Sequence, residues 1–326
     1  MRKSRWIALI SLPLLLVLAF MLYRQLGGYL PRIPSSPDET SHITFYALGD
    51  QGKANAAQQA VASAMEQQAE QEGGMDFVVL LGDNFYNEDK LTTQSPAWMS
   101  AFEKIYTGKY LDAVPFYAVL GNHDYPDSVQ AELDYARRHL GSNRWRMPAS
   151  DYSEDFGRVD QRPLLRIVFL DTNQDPRGQA EYLRKQFAAG GNPVWKIVVG
   201  HHPLRTYGKH HQDEQATVNN ALLAAMQRSG VDLYIAAHDH NQQLIVRDGE
   251  PLQIVSGGGG GKLYDLKSPG SDMLFGKAEH GFVRVALDAN SLNFGFIDSQ
   301  AKTRASYHWD RSCVAGLGDC LESAPQ

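Results

Sequence analysis

Short apolar runs recur along the chain, and each ends abruptly in a small residue or a polar one. The runs cover residues 43–48, 77–81, 116–120, 195–199 and 233–236, with 165–170 as a sixth. Their length and their content of Val, Ile, Leu and aromatic residues are typical of buried strands. Helical patterns lie between several of them, at 56–72, 179–189 and 218–229.

This alternation of strands and helices predicts an α/β protein with an open sheet. In such proteins the functional residues collect beyond the carboxyl ends of the strands, so the polar residues after the runs are expected to meet at one edge. The strands predicted at 252–256, 281–287 and 292–297 have no long helical pattern between them. The last part of the chain is therefore expected to be mostly antiparallel β.

The N-terminal segment has the pattern of an export signal or a membrane anchor. Residues 1–5 are basic and residues 6–22 are apolar and uncharged. The apolar stretch reaches the roughly 17 residues of the shortest membrane spans, and no clear cleavage site follows it. An anchor is therefore favoured over a cleaved signal peptide, which stays the alternative. The basic cluster is expected to lie in the cytoplasm and the folded part of the chain outside it.

The predicted organisation is one folded domain with short segments at both ends. Residues 1–28 form the anchor or signal, 29–41 a Pro- and Ser-rich linker, 42–311 the folded domain and 312–326 a C-terminal tail. Cys313 and Cys320 are the only two cysteines. In an oxidising compartment they are expected to close a local disulfide loop, with two separate thiols as the alternative.

The overall charge gives no indication of a nucleic-acid partner. The chain has 31 basic and 37 acidic residues, a formal net charge of -6. Outside the extreme N-terminus it has no run rich in Lys and Arg, so no nucleic-acid partner is expected.

The polar residues after the apolar runs include a set of candidate metal ligands. The set is Asp50, Asp83, Tyr86, Asn122, His201, His238 and His240. Oxygen and nitrogen ligands without a thiolate suit iron, manganese or zinc. Seven ligands are too many for one zinc ion and fit two metal ions that share a bridging carboxylate, for which we choose Asp83.

The spacing of these residues supports a shared site. Tyr86 follows Asp83 by three residues, so one helical turn would return the phenol to the carboxylate. His238 and His240 are two residues apart at a strand end, which puts both imidazoles on one side with Asp239 facing away. One histidine is then available for each metal ion.

Five motifs carry a resemblance to a known family. They are Gly-Asp-Gln-Gly at 49–52, Gly-Asp-Asn-Phe-Tyr at 82–86, Gly-Asn-His-Asp at 121–124, Gly-His-His-Pro at 200–203 and Ala-His-Asp-His at 237–240. Their order resembles that of the metallophosphoesterases, and in particular the purple acid phosphatases of the small tartrate-resistant type. Gly52 stands where many metallophosphoesterases have a histidine, and the resemblance implies that Tyr86 would replace that ligand. Ala237 departs from the glycine usual in the family.

The resemblance, which extends over about residues 42–300, implies a mixed β-sandwich flanked by helices. It implies that Asp50, Tyr86 and His240 hold a ferric ion, that Asp83 bridges, and that Asn122, His201 and His238 hold a divalent iron, zinc or manganese ion. It assigns phosphate binding and protonation of the leaving group to His123 and His210.

The implied activity is hydrolysis of small phosphate monoesters by a metal-bound hydroxide. A phosphodiesterase or nucleotidase that uses the same metals is the alternative, and a non-enzymatic scaffold is a second one.

Several further residues are open from the sequence alone. His202 and His211 have a structural role or one in the site, and Asp171 is expected to cap or support rather than bind. Asp124 is expected to orient His123. The glycine run at 257–261 lacks the Lys-Ser/Thr of a phosphate loop and predicts a flexible turn beside the metal site.

Overall fold

The computed structural model describes residues 41–86, 90–211, 220–267 and 269–323. The predicted anchor at 1–28 and nearly all of the predicted linker lie outside the described residues. Within the described ranges, no helix combines the length and the apolar character that a membrane span needs.

The described chain contains fifteen strands and five α-helices. The strands are β1 (His42–Leu48), β2 (Phe77–Leu80), β3 (Phe116–Ala118), β4 (Trp145–Arg146), β5 (Tyr152–Val159), β6 (Arg162–Phe169), β7 (Trp195–Val199), β8 (Leu233–Ala236), β9 (Gln242–Ile245), β10 (Leu252–Ser256), β11 (Met273–Lys277), β12 (Gly281–Asp288), β13 (Ser291–Asp298), β14 (Thr303–Asp310) and β15 (Leu321–Ser323). The helices are α1 (Ala56–Glu72), α2 (Val129–Arg137), α3 (Pro176–Ala188), α4 (Asn220–Ser229) and the short α5 (Leu317–Cys320).

These strands form two sheets rather than the single open sheet that the pattern predicted. One has the order β15-β14-β13-β12-β1-β2-β3-β4 and the other β11-β9-β10-β8-β7-β6-β5. In the first sheet β1 to β4 are parallel, and in the second β6, β7, β8 and β10 are parallel. The remaining pairs are antiparallel, as expected for the last part of the chain. The mixed sandwich implied by the resemblance is thus confirmed.

The side-chain alternation of the second sheet explains why two sheets form. Ile197 and Ile235 belong to the apolar core shared with the first sheet. Val198 and Tyr234 belong to a separate core with Leu183 of α3 and Leu222 of α4. Both faces of these strands are therefore apolar, and each must be covered. A continuous apolar run shows that both faces are buried but not whether a helix or another sheet covers them.

The C-terminal residues join the first sheet. Cys313 and Cys320 form the expected disulfide. After it, β15 pairs antiparallel with β14, so Tyr307 lies opposite Ser323. The disulfide loop thus returns the chain to the edge of the sheet.

The carboxyl ends of the parallel strands position the motif residues. Asp50 follows β1, Asp83 follows β2, and a 3₁₀ turn at Asn122–Asp124 follows β3. In the second sheet His201 follows β7 and His238 follows β8. The predicted ligands therefore come from the same end of strands in both sheets.

Candidate metal centre

The predicted ligands lie in two adjoining groups, in which most side chains are buried, His238 is half-buried and Asn122 is exposed. Ligand atoms of Asp50, Asp83 and His240 lie within 4.8 Å of one another, and so do those of His201, His202 and His238. Asp83 touches both groups: its Oδ2 is 2.7 Å from the Tyr86 phenol oxygen, and its Oδ1 is 3.5 Å from His201 Nε2. This is the position expected of a bridging carboxylate.

The first group is completed by Tyr86. Its phenol oxygen lies 3.4 Å from Asp50 Oδ1 and 3.3 Å from His240 Nε2. The phenol reaches Asp83 through a segment without regular secondary structure rather than the helical turn that we expected from the spacing. That segment begins at Asp83, whose φ of 55° lies in the left-handed region.

The second group is completed by Asn122. His201 Nε2 lies 3.1 Å from Asn122 Oδ1 and 3.2 Å from His238 Nδ1. His201 is completely buried. His238 and His240 thus serve different groups, as their spacing predicted.

Main-chain carbonyls fix the protonated nitrogen of two of these histidines. His201 Nδ1 lies 2.9 Å from the carbonyl oxygen of Leu81, and His240 Nδ1 lies 2.7 Å from that of Lys262. A carbonyl only accepts, so each Nδ1 carries the proton and each Nε2 presents a lone pair to the centre. Such outer hydrogen bonds are the usual support of metal-binding histidines.

The residues present fit two metal ions. Lone pairs of His201 and Asn122 face one another, as do those of His240 and Asp50, without a proton between them when the imidazoles are neutral. Asp50 Oδ2 is buried and has no hydrogen-bond partner among the described residues. An orphaned carboxylate oxygen and converging acceptors are explained by cations, which would satisfy all of them.

Burial and the closeness of charged neighbours shift the pKa values of the predicted ligands. Burial raises the pKa of Asp50, and burial together with the charges of Asp50 and Asp83 raises the pKa of the Tyr86 phenol. Burial and the neighbouring His201 lower the pKa of His238. Burial acts to lower the pKa of His201, but the carboxylates of Asp83 and Asp50 outweigh it, and the net shift is upward. In the metal-free site these shifts favour protons on Asp50, Tyr86 and His201, whereas they favour the neutral imidazole at His238.

Three of the ligands have left-handed backbone conformations. The φ angles are 58° at Asp50, 55° at Asp83 and 67° at His238. Non-glycine residues adopt this region rarely, and the surrounding structure must impose it. The three turns follow β1, β2 and β8 and direct side chains from both sheets into the centre.

The glycine run at 257–261 packs against the first group of ligands. It is buried rather than a flexible turn, and the N–H of Gly261 donates to the Asp50 carbonyl at 2.8 Å. A Cβ at Gly257 would lie 2.6 Å from Asp50 Oδ2, and one at Gly261 would lie 2.7 Å from His240 Cε1. Glycine is required because the backbone occupies the space of a side chain.

The two predicted acid residues flank the centre on different sides. The ring of His123 lies 4.6 Å from that of Tyr86, and its main-chain N–H donates to Asp83 Oδ1 at 2.8 Å. The ring of His210 lies 4.1 Å from that of His238. The two histidines to which the resemblance assigned phosphate binding and protonation of the leaving group therefore lie beside the predicted ligands.

His202, whose role the sequence left open, lies in the second group. Its ring is 4.6 Å from that of His238, and its Nδ1 is 2.9 Å from the Thr172 hydroxyl oxygen. The same hydroxyl accepts the main-chain N–H groups of His201 and His202. Burial and His201 lower the pKa of His202 to about 3, so its ring is neutral. Sequence reasoning missed Thr172, although it directly follows Asp171 at the end of a predicted strand.

Asp124 supports the turn after β2 instead of orienting His123. Its carboxylate accepts main-chain N–H groups of Gly121, Asn84 and Phe85. The Asn84 side chain also donates to Glu132, at 3.0 Å. Burial and the charge of Asp83 raise the pKa of Asp124 to about 7. No periodicity in the sequence signals this cluster.

Asp171 has the supporting role predicted for it. Its carboxylate accepts from the Tyr125 hydroxyl, and from the Asn173 side chain at 2.8 Å.

A model of the family described as calcineurin-like phosphoesterase matches residues 43–242. The chain therefore belongs to the calcineurin-like phosphoesterases. It is 30% identical to purple acid phosphatase 4 of Arabidopsis thaliana over 93% of this chain and 94% of that one. It is 26% identical to the rat (Rattus norvegicus) tartrate-resistant acid phosphatase type 5, over 91% of this chain and 95% of the relative.

These relatives place the chain in the purple acid phosphatase branch, as the five motifs predicted. The class is that of acid-phosphatase-like phosphoric monoester hydrolases with a dinuclear metal site. Among solved structures, one described as GAP50, the anchor in the inner membrane complex of Plasmodium, is similar with a TM-score of 0.73 and 26% identity. The similarity covers 83% of this chain and 89% of that one.

We predict that Gly257→Ala weakens metal binding. The added methyl group would overlap the Asp239 main-chain oxygen and lie 2.6 Å from Asp50 Oδ2, so the backbone at Asp239, between two ligand histidines, and the Asp50 carboxylate must both shift. Loss of such support typically costs about tenfold or more in affinity. Affinity for Zn²⁺, measured by chelator competition, should fall accordingly. Gly178→Ala is the matched control, because a Cβ at this helical position meets nothing within 4 Å. Equal affinities of the two variants would refute the packing role.

We also predict that metal affinity falls steeply with acidification. His240 has its pKa raised because the carboxylate of Asp50 outweighs the effect of burial, and His201 is raised similarly. Both must lose their protons to bind metal, so affinity rises with pH until these raised pKa values are passed. The same Zn²⁺ titration at a series of pH values should give log affinity rising by up to about two per pH unit. A flat profile would contradict protonated histidines in the metal-free site.

Proposed function

We propose that the protein hydrolyses small phosphate monoesters at a centre of one ferric and one divalent metal ion, with Fe(II), Zn(II) or Mn(II) as the divalent ion. The observation that carries the proposal is the convergence of two ligand groups on Asp83, which contacts Tyr86 and His201. When bound, the two metal ions neutralise phosphoryl oxygens and acidify a water molecule for attack.

The difference between the ligand groups supports an assignment of the two metals. Asp50, Tyr86 and Asp83 supply anionic oxygen atoms to the first group, which suits a hard trivalent ion. Asn122, His201 and His238 supply neutral donors to the second, which suits a divalent ion. The tautomers set by Leu81 and Lys262 direct one imidazole lone pair into each group.

The residues around the ligands supply the remaining steps. His123 lies beside Tyr86 of the first group and His210 lies beside His238 of the second, so each would be close to a phosphate held by the centre. As the oxygen of water bonds to phosphorus and the ester phosphorus–oxygen bond breaks, an imidazolium gives its proton to the departing alkoxide. The alkoxide leaves as an alcohol and the imidazole is left neutral. We assign this donation to His210 and phosphate binding to His123.

Two lysines favour an anionic substrate. Lys53 Nζ lies 3.4 Å from the centroid of the Tyr86 ring, and Lys209 Nζ lies 4.5 Å from that of Tyr264. Tyr264 in turn stacks on the His240 ring at 4.2 Å. Positive charge at the rim of an otherwise acidic protein attracts a phosphorylated small molecule to the site.

We further propose that the catalytic domain works outside the cytoplasm, attached to a membrane by residues 6–22. The apolar stretch with a basic flank supports this location. The disulfide between Cys313 and Cys320 supports an oxidising compartment.

The metal assignment predicts a visible absorption band from phenolate bound to ferric iron. The domain from about residue 36 onward, loaded with iron, should be purple, and Tyr86→Phe should lose the band because it removes the phenolate. Turnover of p-nitrophenyl phosphate should be best below neutrality. Tyr264→Phe is the matched control, since this tyrosine stacks on His240 but is not a predicted ligand, and it should keep the band.

Two other outcomes would change the proposal. A colourless but active protein would retain the two-metal hydrolase and reject ferric iron. A metal-replete protein that cleaves bis-p-nitrophenyl phosphate faster than the monoester would indicate the phosphodiesterase instead, and one that cleaves neither would indicate a scaffold.

The membrane attachment is tested on the full chain. Phosphatase activity should sediment with membranes, resist a salt wash and be reached by a substrate that cannot cross the membrane. Deletion of residues 6–22 should move the activity to the soluble cytoplasmic fraction, where the disulfide would be reduced. Soluble activity of the full chain outside the cells would indicate a cleaved signal instead.

A further inference from the structure

Asp239 is a completely buried carboxylate between two predicted metal ligands, His238 and His240. As expected from the alternation, it faces away from the ligands. Its two oxygen atoms have separate partners: Oδ2 accepts from the Thr206 hydroxyl, and Oδ1 accepts from the main-chain N–H of His210 at 3.1 Å. The carboxylate therefore holds both ends of the segment that carries His210.

The Thr206 hydroxyl has its proton directed to Asp239. Its oxygen accepts hydrogen bonds from the main-chain N–H of Gly208 at 3.0 Å and from the Gln243 side chain at 2.9 Å. With two donors already facing the oxygen, the hydroxyl proton is left for the carboxylate. Thr206 thus connects Asp239 by hydrogen bonds to Gly208, in the middle of the segment.

Gln243 fixes the same segment from β9. Its Oε1 accepts the main-chain N–H of Tyr207 at 2.8 Å, and its Nε2 also donates to Asn241 Oδ1 at 2.7 Å. Gly208 packs so closely that a Cβ there would overlap the Asp239 carboxylate. Residues 206–210 are therefore held on the loop that bears His238 and His240.

We propose that Asp239 is a positioning residue for His210: it fixes the backbone from which the imidazole reaches the second ligand group. The ring of His210 lies 4.1 Å from that of His238 on this segment. The inference rests on the proposed function, in which His210 protonates the leaving alkoxide. It assigns to the residue between the two ligand histidines a task in proton donation that is separate from metal binding.

The geometry requires a carboxylate rather than an amide. Both partners of Asp239 are donors, the His210 N–H and the Thr206 hydroxyl. An asparagine has one accepting oxygen and one donating nitrogen, so one donor would face another donor. Asp239→Asn therefore frees one end of the segment without changing the size of the side chain.

The experiment compares two substrates that differ in their need for an acid. p-Nitrophenyl phosphate releases a weakly basic phenolate, whereas β-glycerophosphate releases a strongly basic alkoxide. His210→Ala should slow the alkyl ester by about a hundredfold and the aryl ester far less. Asp239→Asn should show the same selectivity, with kcat for the alkyl ester reduced by about tenfold. Its metal content should equal that of the unmodified protein.

Thr206 supplies the test outside the metal-binding loop. Thr206→Val removes the hydroxyl and should reproduce the selective loss, whereas Thr206→Ser keeps it and should restore alkyl ester turnover. Asp232→Asn is the matched control for the charge change, because this carboxylate accepts the main-chain N–H of Lys196 at 2.8 Å at the far end of β8. It should leave the ratio of the two substrates unchanged.

Hydrogen exchange provides a readout that does not depend on turnover. In the metal-free protein the amides of Gly208 and His210 should exchange faster in Asp239→Asn and Thr206→Val than in the unmodified protein, and at an unchanged rate in Asp232→Asn.

The outcomes separate this inference from the proposed function. If His210→Ala slows both substrates equally, the proton-donor role of His210 is wrong. If His210→Ala is selective but metal-replete Asp239→Asn slows both equally, or the amides of residues 208 and 210 exchange as before, the positioning role is wrong.

Discussion

The structure depends on one constraint: several buried acceptor atoms lie close together and repel one another. Asp50, Asp83 and the Tyr86 phenol oxygen lie within hydrogen-bond distance in a buried space, and imidazole lone pairs face them. Such an arrangement is unfavourable by itself, because burial removes the water that would screen it. It is stable only when protons or cations occupy the centre. The apolar cores of the two sheets, whose strand ends carry these groups, supply the stabilisation that keeps them together.

The features around the centre act mainly on orientation. The carbonyls of Leu81 and Lys262 select imidazole tautomers, and the glycine run at 257–261 lets backbone approach the ligands. Left-handed turns at Asp50, Asp83 and His238 direct side chains from strands of both sheets to one place. Each device involves backbone atoms, so it depends on the path of the chain rather than on the chemistry of a nearby side chain.

This division explains what the sequence predicted and what it did not. The strand ends and the candidate ligands could be predicted because both depend on a short stretch of sequence. An apolar run followed by Gly-Asp or His-His indicates both the strand and the residue beyond it. The contacts of Thr172, Asn84 and Glu132 were not readable, because they depend on which strands become neighbours. The apolar pattern alone predicted one open sheet for the same reason, since an apolar run does not specify what covers each face, and only the resemblance implied the two-sheet sandwich. His202 remained undecided until the packing of Thr172 was known.

The contact between the glycine run and the first motif also determines when, during synthesis of the chain, the metal centre can form. The N–H of Gly261 bonds to the Asp50 carbonyl, and the Ser256 hydroxyl bonds to the Ala47 carbonyl across 209 positions of the sequence. During synthesis, the first ligands emerge long before the segment that confines them. The complete set of ligands therefore forms only after residues 257–261 have been synthesised. Until then, a nascent chain has separate donor residues that bind metal ions weakly.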